Sequence, residues 1–215
     1  MQVGSNWAWL IMATSAFYTF DPMKMDANKL IQPILKSIEG KHDDLLNVIK
    51  ISEILPNLVE GERGKFDPAT MLFVASLDWK ESGGIPEQLC KNNIREKIGR
   101  FPTDDGNSIK YLLQYTSLDD DSNKLHELLF KLMNGLSEES LGYPGFQKGM
   151  GGLELMGWLN YEEVIKLIKT IKSSEWSISA DEPFDGGVQE IIRHLMMILT
   201  VAERRSCGIL MRKHF

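Results

Sequence analysis

Apolar and polar positions alternate most clearly in the last third of the chain. After glycines at 149, 151 and 152, residues 153–159 form an apolar run of strand length bounded by turn residues. Asn160 and Glu163 then stand at capping-box spacing, with Asn in the place of the commoner Ser or Thr. Val164, Ile165, Leu167, Ile168 and Ile171 follow at the spacing of one helical face. Residues 173–187 read as loop. A long helix over 188–205 turns Val188, Ile191, Ile192, Leu195, Leu199 and Ala202 inward and Glu190, Arg193, His194, Met197 and Arg204 outward. Residues 207–211 are again apolar and predict a closing strand.

Earlier in the chain the signals are shorter. Residues 16–20 are β-branched and aromatic and run into Asp21-Pro22, a strand followed by a turn. Asp26 can cap a helix reaching Ile38, with Leu30, Ile31, Ile34 and Leu35 on its apolar stripe; Pro33 inside it predicts a kink or a later start. Gly40 closes this helix. Asp43 or Asp44 opens another, carrying Leu45, Leu46, Ile49, Ile54 and Leu55 as far as Pro56. Asp67-Pro68 pairs an N-cap with proline at the first helical position. The apolar run 70–77 after it suits a buried helix or a central strand, and its caps favour the helix. Further helices are expected at 86–98, 108–115 and 122–133, with loops at 102–107 and 136–152.

At the N-terminus, residues 7–13 are apolar and lead into Thr14-Ser15-Ala16, the outline of a signal peptide with a small-residue cleavage site. No Lys or Arg precedes the run, and it is far shorter than the roughly 20 residues needed to cross a bilayer. A buried strand or packed arm is therefore expected. Met12 could equally be the start, with residues 1–11 as an extension. No internal repeat or low-complexity tract occurs. These elements together predict an α+β, helix-dominated single domain over 1–215, its small sheet uniting strands near 14–20, 153–159 and 207–212.

Composition narrows the function classes. With 43% apolar and 25% charged residues, the chain is of ordinary globular character, and 215 residues suffice for a core without staples. A net charge of −6 argues against holding nucleic acid, which requires clustered Lys and Arg; it is compatible with a basic protein partner. Cys90 and Cys207 stand alone, far apart, and are expected as reduced, buried thiols in a cytoplasmic protein, with a single disulfide between them as the alternative. No membrane association is expected.

The candidate chemistry is sparse. His42, His126, His194 and His214 are each isolated. Glu190 and His194 share a helix face at i, i+4, half of a metalloprotease pattern without its second histidine, so a surface ion pair is expected. Asp119, Asp121 and Asn123 alternate as in a calcium loop, yet Lys124 replaces the glycine and Phe130 the final glutamate. The glycines at 149–152 follow Lys148 but match no phosphate-binding loop, and no G-x-S-x-G elbow exists. No metal or cofactor is expected. The candidate binding residues are Tyr143, Phe146 and Trp158, which flank the glycine loop, with Trp176, the acidic Asp181, Glu182 and Asp185, and His194.

The opening Met12-Ala-Thr-Ser-Ala-Phe-Tyr-Thr-Phe-Asp21, the segment Gly157-Trp-Leu-Asn-Tyr-Glu-Glu-Val164 and the last helix leading to a terminal strand resemble small bacterial proteins of the YfbM type. Those open with a short strand, carry a Tyr-Leu-Thr-x-x-Glu-Val-like helix start and finish with a helix and an apolar strand. Trp158 here replaces the usual Tyr, and Asn160 the usual Thr. The similarity covers about a third of the chain; it implies a fold and, since that family has no assigned biochemical role, no catalytic residues. Function is accordingly expected to be that of a non-catalytic protein-binding module of a bacterial cytoplasm, such as an immunity or inhibitor protein against a basic toxin. The alternative is an enzyme or small-ligand binder whose site gathers distant residues, with Glu190, His194, His126 and the acidic loop as its candidates.

Overall fold

The computed structural model describes residues 17–49, 58–79, 87–89, 97–98, 106–118, 124–173 and 175–214. The expectations for the N-terminal arm, for Ile54, Leu55 and Cys90, for the alternating acidic run at 119–123 and for most of the helix at 86–98 lie outside these residues.

A four-stranded antiparallel sheet organises the chain. It consists of β1 (Phe17–Met23), β2 (Lys97–Ile98), β4 (Glu154–Leu159) and β6 (Gly208–His214), in the order β2-β1-β6-β4. The three strands expected from sequence are thus adjacent, and the one nearest the C-terminus lies between the other two. β6 pairs along its whole length with β1, from Phe17 opposite His214 to Met23 opposite Gly208. On its other side it pairs with β4, whose register slips at a bulge between Leu155 and Gly157.

Side chains on successive strand residues point to opposite faces. In β6 this sends Ile209 and Met211 into one apolar cluster and Leu210 into another, so the sheet has a core on each side. The first is closed by α4 (Ser108–Tyr115), α5 (Lys124–Asn134), α7 (Tyr161–Lys172) and α8 (Gly187–Arg204). The second is closed by α1 (Ala27–Ile38), α2 (Asp43–Ile49) and α3 (Pro68–Ser76). The architecture is α+β, as the apolar spacing predicts.

Caps account for most helix boundaries. Asp26, Asp67, Asn107 and Asn160 each accept a hydrogen bond from a first-turn N–H. Asn160 and Glu163 complete the capping box reciprocally, at 2.9 Å in each direction. α1 runs through Pro33 without the predicted break. The buried stripe of Leu30, Ile31 and Ile34 spans the proline, and packing outweighs one lost backbone bond.

Four other expectations are corrected. Lys97 and Ile98 end the expected 86–98 helix as strand, because Thr19 and Tyr18 at the edge of β1 offer them backbone partners. The expected loop 136–152 contains the short helix α6 (Glu138–Leu141), started by Ser137, whose hydroxyl accepts the Ser140 N–H. The expected loop 173–187 contains β5 (Trp176–Ile178), paired with β3 (Thr116–Leu118). In α8, Ile198 is buried and Ile192 is only half-buried. No helix among the described residues is long and apolar enough to cross a membrane.

Candidate functional site

The sequence candidates separate into four places. Trp176 lies on β5 and Asp181, Glu182 and Asp185 on the loop between it and α8, His194 lies within that helix, Phe146 is in the core, and Tyr143 and Trp158 line a cleft between α1, α5 and α6.

One acid of the loop, Glu182, has a structural role. Glu182 Oε1 accepts the Val188 N–H at 2.6 Å and the Tyr111 hydroxyl at 3.3 Å. A carboxylate at the start of an 18-residue helix satisfies an orphan donor and complements the helix dipole. Burial, with the nearby Glu182 charge, raises the Tyr111 pKa above its ordinary value. Trp176 is half-buried and donates its indole N–H to the Ile171 carbonyl at 3.0 Å. Asp181 and Asp185 are exposed.

His194 departs from its expected surface pairing. Its Nε2 is shut off from solvent without a hydrogen-bond partner, and no ion pair with Glu190 forms. Phe146 is fully buried in the core beneath α1 and α3, so it is packing and cannot contact a partner. Its sequence neighbourhood of glycines suggested a surface loop, yet Gly145 is what lets the chain turn this ring inward, with φ +86° and the Pro68 ring 3.1 Å from where a Cβ would sit.

His126 is held on α5 with Nε2 2.8 Å from the Thr116 hydroxyl, which itself donates to the Leu112 carbonyl. The Thr116 proton being engaged, the imidazole is the donor of that pair. Burial lowers the His126 pKa, with a weaker opposing pull from a Thr116 backbone hydrogen bond. The unfolded chain therefore takes up this proton more readily than the folded one. Stability associated with His126 is present above the ordinary histidine value of about 6.5, declines as pH falls through it, and is gone below the lowered folded value. In urea melts at stepped pH, His126→Gln should flatten this part of the decline; an unchanged slope between wild type and variant would refute the assignment.

Trp158 and Lys131 form the floor of the cleft, and Asp26 and Glu163, outside it, hold them in place. Trp158, nearly buried on β4, donates its indole N–H to Asp26 Oδ1 at 3.2 Å, and Asn160 Nδ2 donates to Asp26 Oδ2 at 3.3 Å. The Lys131 ammonium lies 4.5 Å from the Trp158 ring centroid and 2.6 and 2.7 Å from the two carboxylate oxygens of Glu163. A cation is thus held between an aromatic face and a carboxylate. What brings Lys131 over Trp158 is the contact of α5 with β4 at Gly157. A Cβ on residue 157 would lie 1.9 Å from the Lys131 carbonyl oxygen.

Above this floor opens a cleft of about 450 Å³, walled by Ile31 and Gln32 of α1, Phe130 of α5, and Leu141 and Tyr143 at the end of α6. Gln32 Nε2 donates to the Tyr143 hydroxyl at 2.9 Å, fixing that ring at the rim. Phe130 is 49% exposed and Tyr143 38%. Phe130 escaped the sequence candidates. The signal was available: Leu125, Leu128, Leu129 and Leu132 form the buried stripe of α5, and Phe130 stands off it.

Cys207 is half-buried, and desolvation raises its thiol pKa, with Arg205 opposing. Its Sγ lies 3.7 Å from the Ala202 carbonyl oxygen. Among the described residues, no group of three or more His, Cys, Asp and Glu side chains is placed to hold a metal ion. No protein-family model matches the chain, and comparison with curated proteins and with solved structures finds no match.

Proposed function

We propose that the protein is a non-catalytic protein-binding module, in the manner of an immunity or inhibitor protein that blocks a basic toxin, and that the cleft between α1, α5 and α6 is its contact surface. The observation that carries this reading is the pair of large aromatic side chains, Phe130 and Tyr143, left in solvent around an apolar cleft. Burying either would be favourable, and aromatic residues fixed by packing or hydrogen bonds bind at low entropic cost. The enzyme alternative draws less support from this cleft, since none of His126, Glu190 and His194 lines it.

A photo-crosslinking residue at position 130 or 143 should capture one defined protein in cells that make this chain. The same residue at Met197, an exposed position on α8, serves as the control. The purified partner, if a toxin, should lose activity on equimolar mixing. Absence of adducts from the cleft positions, or identical adducts from Met197, would count decisively against the proposal.

A further inference from the structure

We infer that the cleft receives a cationic segment of its partner, one that lays an arginine or lysine side chain against Phe130 and Tyr143 beside an apolar anchor; this rests on the cleft being a protein-docking surface. The floor already accommodates a cation, since the Lys131 ammonium sits over the Trp158 ring with both Glu163 oxygens in contact. That charge is internally neutralised and offers nothing to an acidic partner. The exposed rings of Phe130 and Tyr143 present the same kind of aromatic face, unoccupied by a cation of this chain among the described residues. Guanidinium and ammonium groups are attracted to such faces through the ring quadrupole, and arginine is enriched where aromatic residues form an interface.

Charge around the rim agrees. Glu127 is exposed one turn before Phe130 on α5, and the exposed Glu138 and Glu139 immediately precede Ser140 and Leu141 of the cleft wall. Against these three carboxylates stand the exposed Lys29 of α1 and Lys124 of α5. The chain as a whole carries −6, which steers a basic segment toward it and repels an acidic one. The apolar walls, Ile31 and Leu141, supply the place for the anchor.

The test is a displayed library of random short peptides, selected against the full chain. Enriched peptides are then measured by fluorescence anisotropy against wild type, Phe130→Ser and the double variant Glu138→Lys/Glu139→Lys. All three side chains are exposed, so the core is left intact, and circular dichroism of the double variant checks that α6 persists. The enriched set should be rich in Arg or Lys next to a large apolar residue. Affinity should fall about tenfold in Phe130→Ser, and several-fold on charge reversal or when salt is raised from about 0.05 to about 0.5 M. Acidic or neutral peptides that need Phe130 and ignore salt would overturn the cationic inference while leaving the docking surface standing. Failure to enrich any Phe130-dependent peptide would remove both.

Discussion

Deleting residues 208–215 is expected to abolish cooperative unfolding, leaving a chain with helical signal but no thermal transition. The segment is β6, with β1 on one side and β4 on the other. Its loss uncovers Ile209, Leu210 and Met211, all fully buried, at roughly 1.5–3 kcal/mol each, or about 5–9 kcal/mol together. That alone is comparable with the whole stability of an ordinary domain, about 5–15 kcal/mol. The deletion also strips the ladder from two strands and removes Arg212, which donates to both oxygens of Asp21 at 2.7 and 3.2 Å. A half-buried carboxylate without its guanidinium adds a further cost. Circular dichroism melts and gel filtration of the truncated chain decide the matter. A soluble truncation with a sharp transition near that of the full chain would show that β6 is dispensable.

Gly157→Ala should cost about 3 kcal/mol, the upper end of ordinary overpacking, because the obstacle is backbone and cannot rotate away. The added Cβ would stand 1.9 Å from the Lys131 carbonyl oxygen, 2.7 Å from that of Leu132 and 2.8 Å from the Gly135 nitrogen. The last turn of α5 must lift from β4, stretching the hydrogen bond from the Leu136 N–H to the Met156 carbonyl. For a chain of this size the expected fall in Tm is about 6–12 °C. The same displacement carries Lys131 off Trp158, so cleft binding should weaken together with stability, whereas Phe130→Ser affects binding alone. A Gly157→Ala protein as stable as wild type would mean that helix and strand are not in contact there.

The parts of this fold legible in the sequence are those governed by local chemistry. Asn160 and Glu163 announce a helix start because both partners of the capping box lie within four residues. β4 and β6 are legible because each is an apolar run with turn residues on either side. β2 and β5 are not, since two- and three-residue strands form only where a distant neighbour supplies backbone partners, as Thr19 does for Lys97 and Thr116 for Ile178. The cleft was half legible. Tyr143 and Trp158 were candidates for being aromatic near glycines, and the structure brings them together; Phe146 met the same criterion and is core. Lys131 and Glu163 are 32 positions apart, and only the approach of α5 to Gly157 joins them. Glu182 looked like a free acid because its role as the cap of α8 depends on the left-handed turn at Gly186.

The centre of the sheet is also its last strand in chain order, which has a consequence during synthesis. Asp21 waits for a partner 191 residues downstream. At about 5–20 residues per second the ribosome needs roughly 10–40 s to cover that distance. Throughout this interval β1 lacks its pairing with β6, as does β4 once it has been made, so Tyr18, Phe20 and Leu155 have no completed sheet to bury them. Helices can form as they emerge, but the sheet closes only when residues 208–214 are free of the exit tunnel. A nascent chain stalled before that point should remain bound to holding chaperones and be cut readily by protease, and should become resistant only once those residues emerge.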